Sequence, residues 1–149
     1  MSYVDKNLMA DERIIFRTQL NWSLYIKGVL FIIAGMAVSG YNKYIALGLV
    51  ALGLIMALWT YLIISSSEFV ITDRRVLIKT GIININTLET MLNKIEAIHV
   101  KQGLIDRMLN SGTITVIGTG GTGSLFNNID KPFGFRNAVT EQIASVNKG

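Results

Sequence analysis

The feature that most constrains this chain is an uncharged run at residues 44–67, which is 24 residues long. As an α-helix it would extend about 36 Å, which exceeds the roughly 30 Å hydrocarbon core of a bilayer. The run is apolar all round, with Tyr44 at one end and Trp59 and Tyr61 toward the other, where amphipathic aromatic side chains favour the membrane interface. A buried core helix is the alternative, but in a chain of 149 residues the run predicts a transmembrane helix.

A second apolar stretch precedes it and is uncharged over residues 28–42, which as a helix of about 22 Å is short for a crossing. A helix that starts at Trp22 includes Lys27, whose ammonium group can reach the headgroups from about one turn inside. The linker at 40–43 is short and rich in turn formers, so the two spans are predicted to be antiparallel neighbours. A cleaved signal peptide, with small residues at 34–40, is the alternative for the first stretch, but the second span favours a hairpin anchor.

Basic residues set the predicted orientation of this hairpin. They are Lys6, Arg13, Arg17 and Lys27 before the first span, Lys43 in the turn, and Arg74, Arg75 and Lys79 after the second span. The positive-inside rule then puts both termini in the cytoplasm and the turn outside, as expected of a two-span protein of the cell inner membrane. The net charge of +4 agrees with this bias, and we expect no nucleic acid partner.

The composition offers little to catalysis or metal binding. The chain has no cysteine, which excludes disulfides and thiolate metal sites. Its single histidine, His99, has no serine or carboxylate tied to it by a motif, and the carboxylates are scattered without the spacing of a metal site. We therefore predict a protein that is not an enzyme, with no catalytic residues, no metal and no cofactor.

From residue 68 onward the pattern changes to short β-prone segments. Strands are predicted at 68–72, 76–80, 83–89, 95–101, 113–117 and 125–129. A short helix at 103–110 is predicted to plug one end of the sheet, and a terminal amphipathic helix has Asp130 as its cap and Pro132 in its first turn. The predicted fold class is α+β, a two-helix transmembrane hairpin followed by an antiparallel β sandwich or barrel that a C-terminal helix caps. The predicted units are a cytoplasmic N-terminal segment (1–21), the hairpin (22–67) and a cytoplasmic β domain (68–149).

Several segments of the chain, taken together in their order and spacing, resemble a known protein family. They read DERIIFR at 11–17, Asn21-Trp22, EFVITDRRV at 68–76, KIEAI at 94–98, GTITV at 112–116, GTGGT at 118–122 and IDKPFGFR at 129–136. Together they resemble the bacterial pleckstrin-homology (PH) family, in its membrane-anchored type with two N-terminal transmembrane helices, over nearly the whole chain. The resemblance implies a PH-like fold of two packed antiparallel sheets and a C-terminal helix. It implies little about activity, because PH-like folds support many binding tasks.

One glycine-rich segment, residues 118–123, matches the dinucleotide fingerprint G-x-G-x-x-G literally. That fingerprint requires a following helix within a parallel βαβ unit, whereas a strand is predicted here. We interpret the segment as a flexible turn between two strands, with an anion-binding backbone nest as the alternative.

Arg74, Arg75 and Lys79 are the candidate contacts for lipid headgroups or a protein partner. Basic residues near the first hairpin bind phosphoinositides in eukaryotic PH domains, although this cluster is sparse for that pattern. Juxtamembrane basic residues contribute roughly 1 kcal/mol each toward anionic lipid. The alternative is a solvated turn in which Asp73 bonds its own backbone.

The predicted function is that of a non-enzymatic, membrane-anchored PH-like interaction module. Its predicted partners are the lipid bilayer and either another membrane protein or further copies of itself, because small residues such as Gly48 and Gly53 and exposed sheet edges favour assembly. One alternative is an anionic-lipid sensor that uses the basic cluster. The other is a subunit of an oligomeric channel or envelope-stress complex, in which the hairpin is the working part.

Overall fold

The computed structural model describes residues 3–148, which form a helical hairpin and a β domain. The helices are α1 (Tyr3–Asn7), α2 (Ile26–Val38), α3 (Lys43–Ser66), α4 (Leu104–Met108) and α5 (Pro132–Val146), with 3-10 helices at Trp22–Tyr25 and Leu92–Lys94. The strands are β1 (Ile14–Thr18), β2 (Glu68–Thr72), β3 (Arg75–Thr80), β4 (Asn86–Met91), β5 (Ile95–Lys101), β6 (Ser111–Gly118) and β7 (Gly123–Asp130).

Helices α2 and α3 pack against each other as an antiparallel hairpin through small residues. A Cβ atom added at Gly53 would lie 2.8 Å from the carbonyl oxygen of Gly28, and one at Gly35 would lie 3.0 Å from that of Ala46. This close approach places the two backbones in van der Waals contact, as is typical of helix pairs in membranes. Helix α3 begins after Asn42, whose side chain accepts hydrogen bonds from two backbone N–H groups of the first turn.

Only α3, among the helices of residues 3–148, is long and apolar enough to cross a membrane by length and composition. The segment Trp22–Val38 is apolar but shorter. The predicted helix at 44–67 is therefore confirmed as a helix. The first predicted helix is confirmed over a shorter range, since regular α-helix begins at Ile26 and ends at Val38.

The β domain consists of two antiparallel sheets packed face to face. The strand order is β1-β2-β3-β4 in the first sheet and β5-β6-β7 in the second. The two sheets remain separate and open, so the predicted sandwich is confirmed and the barrel alternative is wrong. Residues 14–18 add an edge strand to the first sheet that the sequence analysis did not predict.

The core lies between the sheets and beneath α5. The rings of Phe69 and Phe126, one from each sheet, meet edge to face at 5.8 Å, and α5 adds Phe135 and Val139, which are fully buried. The predicted terminal helix is thus confirmed. Its predicted cap is wrong, because Lys131 is the N-cap and Asp130 is the last residue of β7.

Two predictions fail between the strands. Residues 83–85 belong to a loop rather than to a strand, since Gly81 turns the chain with a φ of 94° and β4 begins only at Asn86. The helix at α4 exists, but it does not plug the sheet with its apolar side. Its polar Asp106 faces the domain instead, accepting hydrogen bonds from the backbone of Gly103 and the hydroxyl of Ser111.

Candidate functional site

The two legs of the hairpin join the β domain at the same end, which we call the hairpin end. We call the opposite end of the β domain the far end. Strand β2 starts two residues after the last residue of α3, and its Glu68 lies opposite Lys79 of β3. The 81–85 loop that follows β3 therefore lies at the hairpin end. The turn at 73–74, between β2 and β3, lies at the far end.

The contacts of Asn21 show which loops of the second sheet lie at the hairpin end. This buried residue directly precedes the 3-10 helix Trp22–Tyr25, and its backbone N–H donates to the carbonyl of Asn128 at 2.7 Å. Its side chain donates to the Leu109 carbonyl at 3.1 Å and to the Asp130 carboxylate at 2.7 Å. The end of β7 and the α4 connection between β5 and β6 thus lie at the hairpin end too.

Asn21 also fixes the direction in which the hairpin leaves the domain. Its side-chain oxygen accepts from the backbone N–H of Ser23 at 2.9 Å and so caps the 3-10 helix. On the other leg, the hydroxyl of buried Ser67 donates to the Ile63 carbonyl at 2.8 Å. The first leg is therefore hydrogen-bonded to the β domain through Asn21, and the end of the second leg is closed by the hydroxyl of Ser67. Sequence reasoning missed this role, since nothing local to Asn21 identifies its partners.

A polar groove of about 420 Å³ lies beside the exit of α3. Arg17, Gln19, Ser65 and Lys131 are among the residues that line it. Arg17 pairs with Asp5 at 2.8 Å in a salt bridge that is about half exposed. The carboxylates of Glu68 and Asp130 line the same groove, so it combines two basic and two acidic side chains with hydroxyls next to the hairpin.

The structure separates the three predicted contact residues. Arg74 is exposed at the far end, and Lys79 is half-buried on β3 opposite Glu68 at the hairpin end. Arg75 is buried inside the domain. The three side chains therefore do not form one basic surface, and only Lys79 lies beside the helices.

Arg75 is instead the centre of an ion-pair cluster with the N-terminal segment. Its Nε and Nη2 atoms donate to the two carboxylate oxygens of Glu12, each at 2.8 Å, and the Glu12 side chain is fully buried. Nη1 contacts the carboxylate of Glu89, and Nη2 also donates to the Asn7 carbonyl at 2.9 Å. Thr72 completes the cluster by donating its hydroxyl proton to Glu12 at 2.7 Å.

This arrangement shifts the pKa values of both partners in the direction of the charged forms. The hydrogen bond from Arg75 lowers the pKa of Glu12 from 4.5 to about 2, against the opposing effect of burial. The hydrogen bond with Glu12 raises the pKa of Arg75, again against burial. A hydrogen-bonded cluster of this kind holds two chain segments together, and it leaves the positive charge of Arg75 unavailable to an anionic ligand.

His99 and the glycine-rich segment are the remaining predicted motifs. His99 is exposed on β5, and residues 3–148 hold no group of three or more metal-ligating side chains. The glycine-rich segment is the β6–β7 turn, as predicted, with positive φ angles at Gly120 and Gly121. It lies at the far end, near Lys94 and Met91.

Two open antiparallel sheets packed face to face, with a C-terminal helix across them, define a PH-like domain. In agreement, residues 25–144 match the family model described as Bacterial PH domain. Because the match covers most of the chain, the chain belongs to the bacterial PH domain family. The matched residues include both α2 and α3, so the hairpin lies within the family region. Comparisons with curated proteins and with solved structures gave no match.

Proposed function

We propose that this chain is a membrane-anchored, non-enzymatic interaction module of the type with two transmembrane helices. The hairpin inserts into the bilayer with its turn at 39–42 outside. The β domain is displayed at the cytoplasmic face of the cell inner membrane. There it binds another membrane protein or a further copy of itself through an open sheet edge or a loop.

The observation that carries this proposal is the exposed apolar surface of the hairpin. Outside the side of α3 that packs against α2, its large apolar side chains are exposed, among them Leu47, Leu54, Ile55, Leu58 and Trp59. The same holds for α2, whose Leu30, Ile33 and Met36 are each more than half exposed. A helix that is apolar all round is stable either inside a large core or in a membrane, and within the described chain α2 covers only one side of this helix.

The family supports the interaction role and leaves the partner open. PH-like folds display binding loops and sheet edges on a rigid sandwich. Here the edge strands are β1 and β4 in the first sheet and β5 and β7 in the second. Gly48 adds a small-residue position on the outer side of α3, with no atom within 4 Å of an added Cβ. These surfaces are the candidates for self-association.

Binding of anionic lipid is the second candidate function, and it rests on Lys131, which is exposed in the polar groove beside α3. The other basic residue of the groove, Arg17, is paired with Asp5, and Glu68 and Asp130 line the groove as well. The half-buried Lys79 lies at the same end, whereas Arg74 and Arg75 do not contribute there. This candidate predicts that Lys131→Gln weakens binding of anionic over neutral lipid, and that Arg74→Gln leaves it unchanged.

Membrane insertion is tested by a double substitution on the outer surface of α3. Leu54→Arg with Leu58→Arg places two charges on side chains that are 57% and 62% exposed. In a membrane each arginine costs about 2.5–3.5 kcal/mol near the helix centre, whereas on a water-exposed surface both would be tolerated. We expect the unaltered chain to resist alkaline extraction from membranes and the double variant to be released or degraded.

The control is Thr119→Arg with Thr122→Arg in the far-end turn, where both side chains are exposed. This control should remain in the membrane fraction. Extraction of the unaltered chain by alkali, or retention of the Leu54/Leu58 variant in the membrane fraction to the same extent as the unaltered chain, would overturn the proposed anchoring.

A further inference from the structure

The hairpin end of the β domain exposes large apolar side chains that the rest of the described chain does not cover. In the 81–85 loop, Ile83 is 81% exposed, and in α4 Leu104 and Met108 are 85% and 87% exposed. We call the full set the apolar rim: Trp22, Ile83, Ile85, Leu104, Ile105 and Met108.

The 81–85 loop lies level with the last turns of α3. Gly81 lines a small groove of about 210 Å³ together with Ile63 of α3 and Leu125 of β7. The loop leaves this groove and turns tightly, since a Cβ at Gly81 would lie 2.1 Å from the Asn84 carbonyl. It therefore presents its isoleucines beside the helix at the depth where the helix leaves the domain.

Helix α4 lies at the corresponding position below the second sheet. Asn21 donates to the carbonyl of Leu109, the C-cap of α4, and Trp22 begins the helical segment that leads into α2. The acidic Asp106 is directed toward Gly103 and Ser111 of the domain. The exposed surface of α4 therefore consists of the apolar Leu104, Ile105 and Met108 and the basic Arg107.

The turns at the far end differ in composition. The turn at 73–74 is Asp-Arg, and the turn at 119–122 is Thr-Gly-Gly-Thr, so neither contains a large apolar side chain. Met91 is 55% exposed at this end, and so is Met9, at 52%, in the turn that leads to Glu12. The loops that each expose several large apolar side chains lie at the end from which the helices emerge.

We propose that the apolar rim inserts into the interfacial region of the leaflet through which the hairpin enters, so that the domain lies against the bilayer in one orientation. This inference rests on the proposed membrane anchoring. Apolar side chains flanked by a basic residue and a tryptophan gain from burial at the boundary between headgroups and acyl chains. The hydrogen bonds of Asn21 tie α4 and the end of β7 to the start of the hairpin and so hold α4 near that depth, and the far-end turns face the cytoplasm.

The absence of cysteine allows a direct depth measurement with single-cysteine variants of the full chain. Each variant is reconstituted into vesicles and labelled with an environment-sensitive fluorophore, and quenching by lipids brominated on their acyl chains is measured. The rim positions are Ile83→Cys and Met108→Cys. Leu54→Cys, at the middle of α3, reports on the hairpin, and Thr119→Cys reports on the far end.

We expect strong quenching at Leu54, and at Ile83 and Met108 quenching several times that at Thr119, with a blue-shifted emission. Quenching at Leu54 with Ile83 and Met108 no different from Thr119 would overturn the rim contact and leave the anchoring intact. No quenching at Leu54 would overturn the anchoring and the rim contact with it. All four positions are exposed, so the labels require no rearrangement of the core.

Discussion

The guanidinium of Arg75 and the carboxylate of Glu12 form a bidentate ion pair, with both N–O distances at 2.8 Å, although 63 residues separate them in the chain. The Arg75 side chain is 8% exposed and that of Glu12 is not exposed. The whole hairpin lies between these residues in sequence. The pair therefore fastens the N-terminal segment to β3 on the sheet that follows the hairpin.

Removing one partner of this pair should destabilise the β domain strongly. We expect Arg75→Met, which leaves the buried Glu12 carboxylate without its partner, to lower the free energy of unfolding by about 3–5 kcal/mol. Glu12→Gln should lower it by less, because Arg75 keeps its contact with Glu89. Urea unfolding of the full chain in detergent, followed by circular dichroism, measures this. Asp5→Asn is the matched control, because it breaks the Arg17 pair of equal length that is about half exposed, and should cost less than about 1 kcal/mol.

The same pair predicts how stability depends on pH. The pKa of Glu12 is lowered from 4.5 to about 2 in the folded chain, so its contribution is fully present above about 4.5. It is lost as the pH falls toward 2, because the unfolded chain takes up the proton first. Unfolding curves between pH 6 and pH 2 should therefore show a decline that is smaller in Glu12→Gln. An identical decline in both proteins would contradict the assigned pair.

A fragment that begins at residue 68 should not fold stably by itself. It lacks β1, which pairs with β2 through Phe16 and Thr18, and it leaves Arg75 without Glu12. Replacing residues 22–66 by a short Gly/Ser linker should restore a folded soluble domain, since Thr18 and Phe69 are already paired neighbours. Amide dispersion in NMR spectra distinguishes the two fragments. Equal folding of both would show that the N-terminal segment is dispensable.

Asn21→Ala should loosen the junction between hairpin and domain. The substitution leaves the Leu109 carbonyl and the Asp130 carboxylate without this donor and removes the cap of the 3-10 helix. A loss of about 1–3 kcal/mol of unfolding free energy is expected for unsatisfied buried groups. Asn93→Ala, at an exposed position, is the control. Hydrogen exchange at residues 109–111 should rise in Asn21→Ala and stay unchanged in Asn93→Ala.

A valine at Gly53 should change the packing of the two helices, whereas a valine at Gly48 should not. A Cβ at Gly53 would approach Ile32 Cγ1 to 2.6 Å and the Gly28 carbonyl to 2.8 Å, whereas one at Gly48 meets nothing within 4 Å. Gly53→Val should therefore separate α2 from α3, and Gly48→Val should not. Spin-label distances between the helices in nanodiscs test this. A shorter or equal distance in Gly53→Val would contradict the packing described. A change of oligomer mass in Gly48→Val alone would assign self-association to the outer face of α3.

The sequence predicted those elements whose signal is local. The uncharged run at 44–67 corresponds to α3, and the β-branched segments at 68–72 and 113–117 correspond to β2 and β6. The turn at 118–123 was predicted from its glycines, and α5 was predicted from its amphipathic pattern and from Pro132 in its first turn. The PH-like fold followed from the resemblance and is supported by the family match over residues 25–144.

What the sequence did not predict depends on partners far along the chain. Residues 14–18 become a strand because β2 pairs with them across the hairpin. Arg75 reads locally as one of two adjacent arginines in a turn, and only Glu12 makes it a buried structural residue. The exposed apolar side of α4 was not predicted, because a short apolar helix is usually buried. Here the hydrogen bonds that Asp106 accepts turn the polar side of α4 toward the domain.

Membrane anchoring with the hairpin turn outside and the C-terminus in the cytoplasm is tested by the accessibility of two single cysteines. Tyr41→Cys lies in the turn between α2 and α3, and Lys148→Cys lies after α5, both at exposed positions. A membrane-impermeant maleimide is applied to right-side-out and to inverted membrane vesicles. We expect Tyr41→Cys to react only in right-side-out vesicles and Lys148→Cys only in inverted ones. Reaction of both cysteines from the same side would contradict the proposed topology, and release of the protein from the vesicles would contradict the membrane anchoring.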